Sequence, residues 1–203
     1  MKYISGLIIV IVLLAGCREP ESEPESKSVT LVPIKLADFG RFVDSTGYKT
    51  DAERYGWSIV QQDVYNFITV ENAIWSLPDG KTPATNPELP VTQVSYNDAK
   101  AYCDWAGVRL PTYDEYWEMV KSDKRKMATE NMYPISPVDE VNIVGNVWEI
   151  TEPTEGEQIR LAGGSIFCSP TSCYGTERSR MLEVDKETGN IHIGFSVVME
   201  EGK

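Results

Sequence analysis

The chain has 203 residues, 41% of them hydrophobic and 25% charged, which places it among globular proteins rather than disordered or fibrous ones. Thirty-one acidic against nineteen basic side chains leave a formal net charge of -12. That balance repels phosphate backbones and offers no basic stripe, so nucleic acid is excluded as a partner.

Met1 and Lys2 make a minimal positive start, and an apolar run from Ile4 to Leu14 follows, too short to span a bilayer comfortably. The run ends in Leu14-Ala15-Gly16-Cys17, which resembles a bacterial lipobox. Residues 1–16 therefore read as a lipoprotein signal peptide and Cys17 as the lipidation site. Acyl chains there would hold the protein on the membrane of the bacterial cell envelope, facing the periplasm or exterior. Residues 17–29, rich in Glu, Pro and Ser, form a tether that cannot pack a core. The globular domain is predicted over 30–203, long enough to bury a core without disulfide staples.

Within that domain, Leu36, Phe39, Phe42 and Val43 recur at helical spacing before Ser45-Thr46-Gly47 stops the run. Ser95 with Asp98 reads as a capping box. Ala99, Tyr102, Cys103 and Ala106 would line one face of the helix it starts, which Gly107 ends. Thr112 with Glu115 opens another, with Tyr116, Met119 and Val120 facing inward. The remainder is short strands and turns, giving an α+β domain rich in irregular structure.

Several blocks occur in a fixed order: Thr46-Gly47-Tyr48-Lys49-Thr50-Asp51-Ala52-Glu53 with Gly56-Trp57, Pro90 to Ala99, Ala101 to Gly107, and Arg109-Leu110-Pro111-Thr112. After them come Asn142-Ile143-Val144-Gly145-Asn146-Val147-Trp148-Glu149, Gly163-Gly164-Ser165 and Gly194-Phe195. Together they resemble the formylglycine-generating enzyme (sulfatase-modifying factor) family, whose fold is a variant of the C-type lectin fold. Only Val29 to Ile34 precede the first helix, so the fold is trimmed at its N-terminal start. The segment from Lys121 to Asp139 lacks the family's first calcium site, and Ser196 stands where the family usually has arginine.

The resemblance implies a Ca2+ site formed by the side chains of Asn142 and Glu149 and the carbonyls of Gly145 and Val147, a donor set suited to a hard cation. The alternative is a metal-free buried turn in which Glu149 caps backbone amides. It also places the family's two active-site cysteines at Cys168 and Cys173, with Ser165 positioning oxygen or substrate. Thiolates are soft donors suited to Cu+. The implied activity is an oxygen-dependent oxidation of a cysteine, or a related group, in an exported protein or peptide. The alternative is a non-catalytic binding module with Cys168 and Cys173 as a structural disulfide, natural in an oxidising compartment. Cys103 matches a position paired in the animal enzyme with a cysteine where Val197 now stands, so it is expected as a buried free thiol.

The one histidine, His192, lies between Ile191 and Ile193 and reads as a surface or core residue rather than a ligand. No His-based zinc site or nucleophile-base-acid triad can be assembled. Tyr48, Tyr55, Trp57 and Trp75 form an aromatic-rich stretch that either packs in the core or lines a groove, core packing being the commoner outcome.

Overall fold

A computed structural model describes residues 29–63, 65–128, 135–168 and 176–200. The signal segment, Cys17 and Cys173 lie outside the described residues. Strand β1 (Val29–Pro33) pairs antiparallel with β8 (Ser196–Glu200), Val29 opposite Glu200, so the two ends of the described domain close on one another. Among the described residues a single strand precedes the first helix.

Helix α1 (Leu36–Thr46) buries Phe39 and Phe42 and ends where Gly47 takes a left-handed φ of 68°. The capping boxes also appear as expected. Ser95 and Asp98 start α3 (Tyr96–Ala106), and Thr112 and Glu115 start α4 (Tyr113–Val120). Two details differ. Trp117 joins Tyr116 and Val120 on the buried face of α4 while Met119 is half-buried. A five-residue helix, α2 (Asp51–Tyr55), also forms behind a Thr50/Glu53 capping box, too short for apolar periodicity to reveal.

Strands β2 (Trp57–Gln61) and β3 (Phe67–Glu71) form a hairpin. The strands β4 (Trp148–Ile150), β5 (Ile159–Ala162), β6 (Leu182–Val184) and β7 (Ile193–Gly194) make a sheet in the order β6-β5-β4-β7. Its β4–β7 pair is parallel.

Two blocks far apart in sequence are joined at Asp98. Its carboxylate accepts the amides of Ser95 (2.9 Å) and Asp51 (3.0 Å) and the Tyr48 hydroxyl (3.0 Å), and Ser95 Oγ donates to Asp51 at 2.7 Å. One side chain thus caps α3 and ties it to the start of α2. Beneath lies an aromatic cluster around fully buried Phe39, whose ring stands 5.3 Å from Phe42, 5.7 Å from Trp75, 6.1 Å from Tyr102 and 6.3 Å from Phe195. Cys103 is buried in the same core as a free thiol, together with Val197.

Because Phe39 touches four rings, Phe39→Ala should cost roughly 3–5 kcal/mol and lower the Tm by on the order of 10 °C. Trp105→Ala, at the half-exposed rim of the cluster, should cost clearly less. Thermal melts of the two variants check the order.

Candidate functional site

The turn from Asn142 to Val147 leads directly into β4, which begins at Trp148. It is held by side-chain bonds to its own backbone and to the preceding segment. Asn142 Oδ1 accepts the Val144 amide (2.8 Å), Asn142 Nδ2 donates to the Asp123 carbonyl (3.0 Å), and Asp123 Oδ2 accepts the Ile143 amide (3.0 Å). Asn146 pins a neighbouring loop by exchanging hydrogen bonds with the Ser136 backbone at 3.0 and 2.8 Å.

Glu149 follows on β4, paired with Ala162 of β5 and Gly194 of β7, and is only 2% exposed. Its Oε2 has no hydrogen-bond partner, and no ion pair to Glu149 forms among the described residues. Burial pushes the carboxyl up to about 8; the neighbouring Ser196 side chain and amide pull the other way without cancelling it. Asn142, Asn146, Val147 and Glu149 line one cavity of about 10 Å³ together with Pro33, Pro90, Val138 and Ile143. That is room for a single water-sized particle. Gly145, the remaining member of the expected ligand set, lies on the same turn with its amide donated to the Gly163 carbonyl (2.9 Å), and does not line the cavity.

A cavity of this size beside an unpartnered carboxyl oxygen has room for one bare cation, with Asn142, Asn146 and Glu149 as its polar lining and five apolar residues around them. Among the described residues no group of three or more His, Cys, Asp or Glu could hold a metal, so such a site would draw on amide and backbone oxygens besides Glu149.

The second candidate lies on the other side of β4. Successive residues of a strand face opposite ways, and Trp148 walls a cleft of about 240 Å³ while Glu149 lines the small cavity. Cys168 sits in the cleft wall and is disulfide-bonded. Phe67, Met181 and Leu182, all exposed, form an apolar lip, and Gln61 and Asn190 add polar groups. Ser165 does not line the cleft. It is fully buried beneath the turn, where its carbonyl accepts the Cys168 amide (2.7 Å) and its hydroxyl accepts the Phe167 amide (3.4 Å).

The lip residues carried no sequence signal, because they come from a hairpin and a short strand that only the fold brings to Cys168. His192 is core: it is 1% exposed with its ring 4.3 Å from Phe167, and burial lowers its pKa to about 4. The aromatic stretch divides. Tyr48 and Trp75 pack against the core, whereas Tyr55 and Trp57 stand exposed, against the expectation of core packing.

Comparison with known proteins agrees with this architecture. A family model described as the sulfatase-modifying factor enzyme 1-like domain matches residues 28–120. The inactive C-alpha-formylglycine-generating enzyme 2 of Bos taurus is 30% identical over 235 residues, covering 87% of this chain and 78% of the relative. The formylglycine-generating enzyme of Mus musculus is 29% identical over 234 residues, covering 80% of this chain. The chain spans 63% of that enzyme's length. The solved structure of PvdO from Pseudomonas aeruginosa superposes with a TM-score of 0.56 at 15% identity, covering 83% of this chain and 78% of that one. The chain belongs to the formylglycine-generating enzyme (sulfatase-modifying factor) family. Its α+β fold is that family's variant of the C-type lectin fold.

The buried carboxyl gives the metal-free protein a characteristic pH response. The folded pKa of Glu149 is raised from 4.5 to about 8, so stability is lost as pH rises between those values, while the folded state keeps a proton the unfolded chain has released. Asp98, raised from 3.8 to about 6, acts in the same sense at lower pH, and His192, lowered from 6.5, acts only below that value. In chelator, the Tm should therefore fall from pH 6.5 to 8, and Glu149→Gln should flatten the profile. A flat profile in the parent protein contradicts the assignment.

Proposed function

We propose that this chain is a lipid-anchored envelope protein that oxidises a cysteine, or a related group, in an exported protein or peptide, with Cys168 and Cys173 as the working pair. The observation that carries this reading is Cys168, itself buried at 4% exposure, in the wall of an apolar-lipped cleft beside Trp148. The cleft offers an extended peptide a hydrophobic seat at Phe67, Met181 and Leu182 and hydrogen-bonding groups at Gln61 and Asn190.

Reduced Cys168 would present sulfur, the donor type that Cu+ prefers, in the wall of that cleft, so the group fits. Bound copper would supply the centre through which dioxygen takes electrons from a substrate thiolate. Trp148 and Phe167 limit water on the inner side of the cleft. Attachment through acylated Cys17 keeps the domain where exported chains emerge.

The second reading is a binding module. The bovine relative is named as inactive, and Cys168 is disulfide-bonded. The discriminating experiment reduces the full chain gently, titrates Cu+ without oxygen, and then supplies a cysteine-containing peptide with oxygen and follows its mass. One copper per chain, lost in both Cys168→Ser and Cys173→Ser but kept in Cys103→Ser, with oxidised peptide formed, is the expected result. A bridge that resists mild reductant, with no copper uptake once opened, leaves the binding module.

We assign Ca2+ to the Glu149 cavity in a structural role. A ligand that binds only the folded state stabilises it by about 2.7 kcal/mol at a hundredfold excess over Kd. Calcium should therefore raise the Tm of the parent and leave that of Asn142→Ala/Glu149→Ala unmoved. An equal rise in both proteins removes calcium from this cavity.

A further inference from the structure

Tyr55 and Trp57 are two large aromatic side chains exposed at 49% and 41%. They are not scattered surface residues. Their ring centroids lie 6.4 Å apart at 33°, and both line one cleft of about 250 Å³ with Ala52, Ser58, Thr188 and Gly189. Asp185 and Glu187, of the loop after β6, give the same cleft an acidic wall.

The chemistry of this wall is well defined. Asp185 Oδ1 accepts the amides of Glu187 (2.8 Å) and Thr188 (2.7 Å), and its Oδ2 accepts the Thr188 hydroxyl (2.8 Å). Partial burial disfavours the charged form, but these bonds outweigh it and hold Asp185 below the usual carboxylate range. Glu187, exposed on the same loop, faces the Tyr55 hydroxyl and raises its pKa. Nearby cations do not fill the space. Arg54 is turned away to the Lys49 carbonyl (2.9 Å), the Tyr48 hydroxyl (3.0 Å) and Asp51 (3.5 Å), and Lys186 does not line the cleft.

We propose that the cleft between Tyr55, Trp57, Asp185 and Glu187 binds an alkylammonium group, borne by a lysine side chain or a free amine. Aromatic faces attract a cation through their quadrupole, and carboxylates lining the same cleft supply the opposite charge. The -12 net charge draws cations toward the surface as a whole. An anion would meet two carboxylates, and a neutral aliphatic group would leave the acidic wall unused. The site is separate from the Cys168 cleft and holds whether or not that cleft is catalytic.

The test titrates the full chain with Nα-acetyl-lysine methylamide, with butylammonium as the free amine, and with Nα-acetyl-norleucine methylamide as the neutral isostere. The reporter is the Trp57 indole N–H resonance, assigned through Trp57→Phe. Both cations should saturate, with norleucine about tenfold weaker or more, in line with a partly desolvated cation–π contact. Tighter binding of the lysine derivative points to a peptide-borne lysine, and of butylammonium to a free amine. Glu187→Gln should weaken the ammonium ligands several-fold without moving the Tm, and Trp57→Ala should do the same more strongly. Equal binding of the norleucine compound, unchanged affinity in Glu187→Gln, or no saturable binding would each overturn the proposal.

Discussion

At Gly194 the backbone runs so close to Val91 that an added β-carbon would stand 2.5 Å from the Val91 carbonyl oxygen. Only glycine fits, and three features depend on that approach. Gly194 pairs with Glu149 in the parallel β4–β7 contact, Phe195 enters the ring cluster around Phe39, and Ser196 reaches the Glu149 carboxyl. Core, sheet and candidate cation site are therefore fixed by one backbone contact. Gly163 plays a similar part on the other side, where its left-handed φ of 84° and the hydroxyl of Tyr116 together exclude any side chain.

Two buried carboxyls in this fold have opposite meanings, and hydrogen bonding separates them. Asp98 is fully buried, but both its oxygens accept donors, from three residues in two segments, so its burial is explained by capping and tying helices. Glu149 is as deeply buried and leaves one oxygen without a donor beside a cavity sized for one particle. A buried acceptor left unmade costs about 1–3 kcal/mol. Ser196, the residue that neighbours the Glu149 carboxyl, carries no charge to offset it.

Local rules made much of the fold legible. Capping boxes at Ser95 and Thr112, and the glycine after α1, mark helix ends because they act within a few residues of chain. Cys103 was readable for the same reason, as one position on an apolar helix face. The short helix α2 escaped because five residues carry no period, although Thr50 and Glu53 signalled its start. At the site, the turn around Asn142 and the position of Cys168 could be placed from ordered blocks. The lip of Phe67, Met181 and Leu182 could not, because it exists only where β3 and β6 converge. The same limit applies to Tyr55 and Trp57. An aromatic residue in a sequence reads as core on average, and its exposure depends on which side of a two-strand hairpin the sheet leaves open.

Strand β4 joins the two candidate sites through the alternation of its side chains. Trp148 faces the Cys168 cleft and Glu149 faces the cation cavity, so whatever fixes the carboxylate also fixes the wall of the cleft. A cation at Glu149 would rigidify that wall without touching a substrate. It would serve an oxidase, which needs its sulfur held against a bound peptide, and equally a binding module, which needs only the peptide seat. A cation at the turn and redox chemistry at Cys168 would therefore be separable properties of the scaffold. A family that contains proteins named as active and as inactive is what such a separation permits. In this chain the two sites meet only at β4, so a change at the sulfur and the lip around it can alter one without the other.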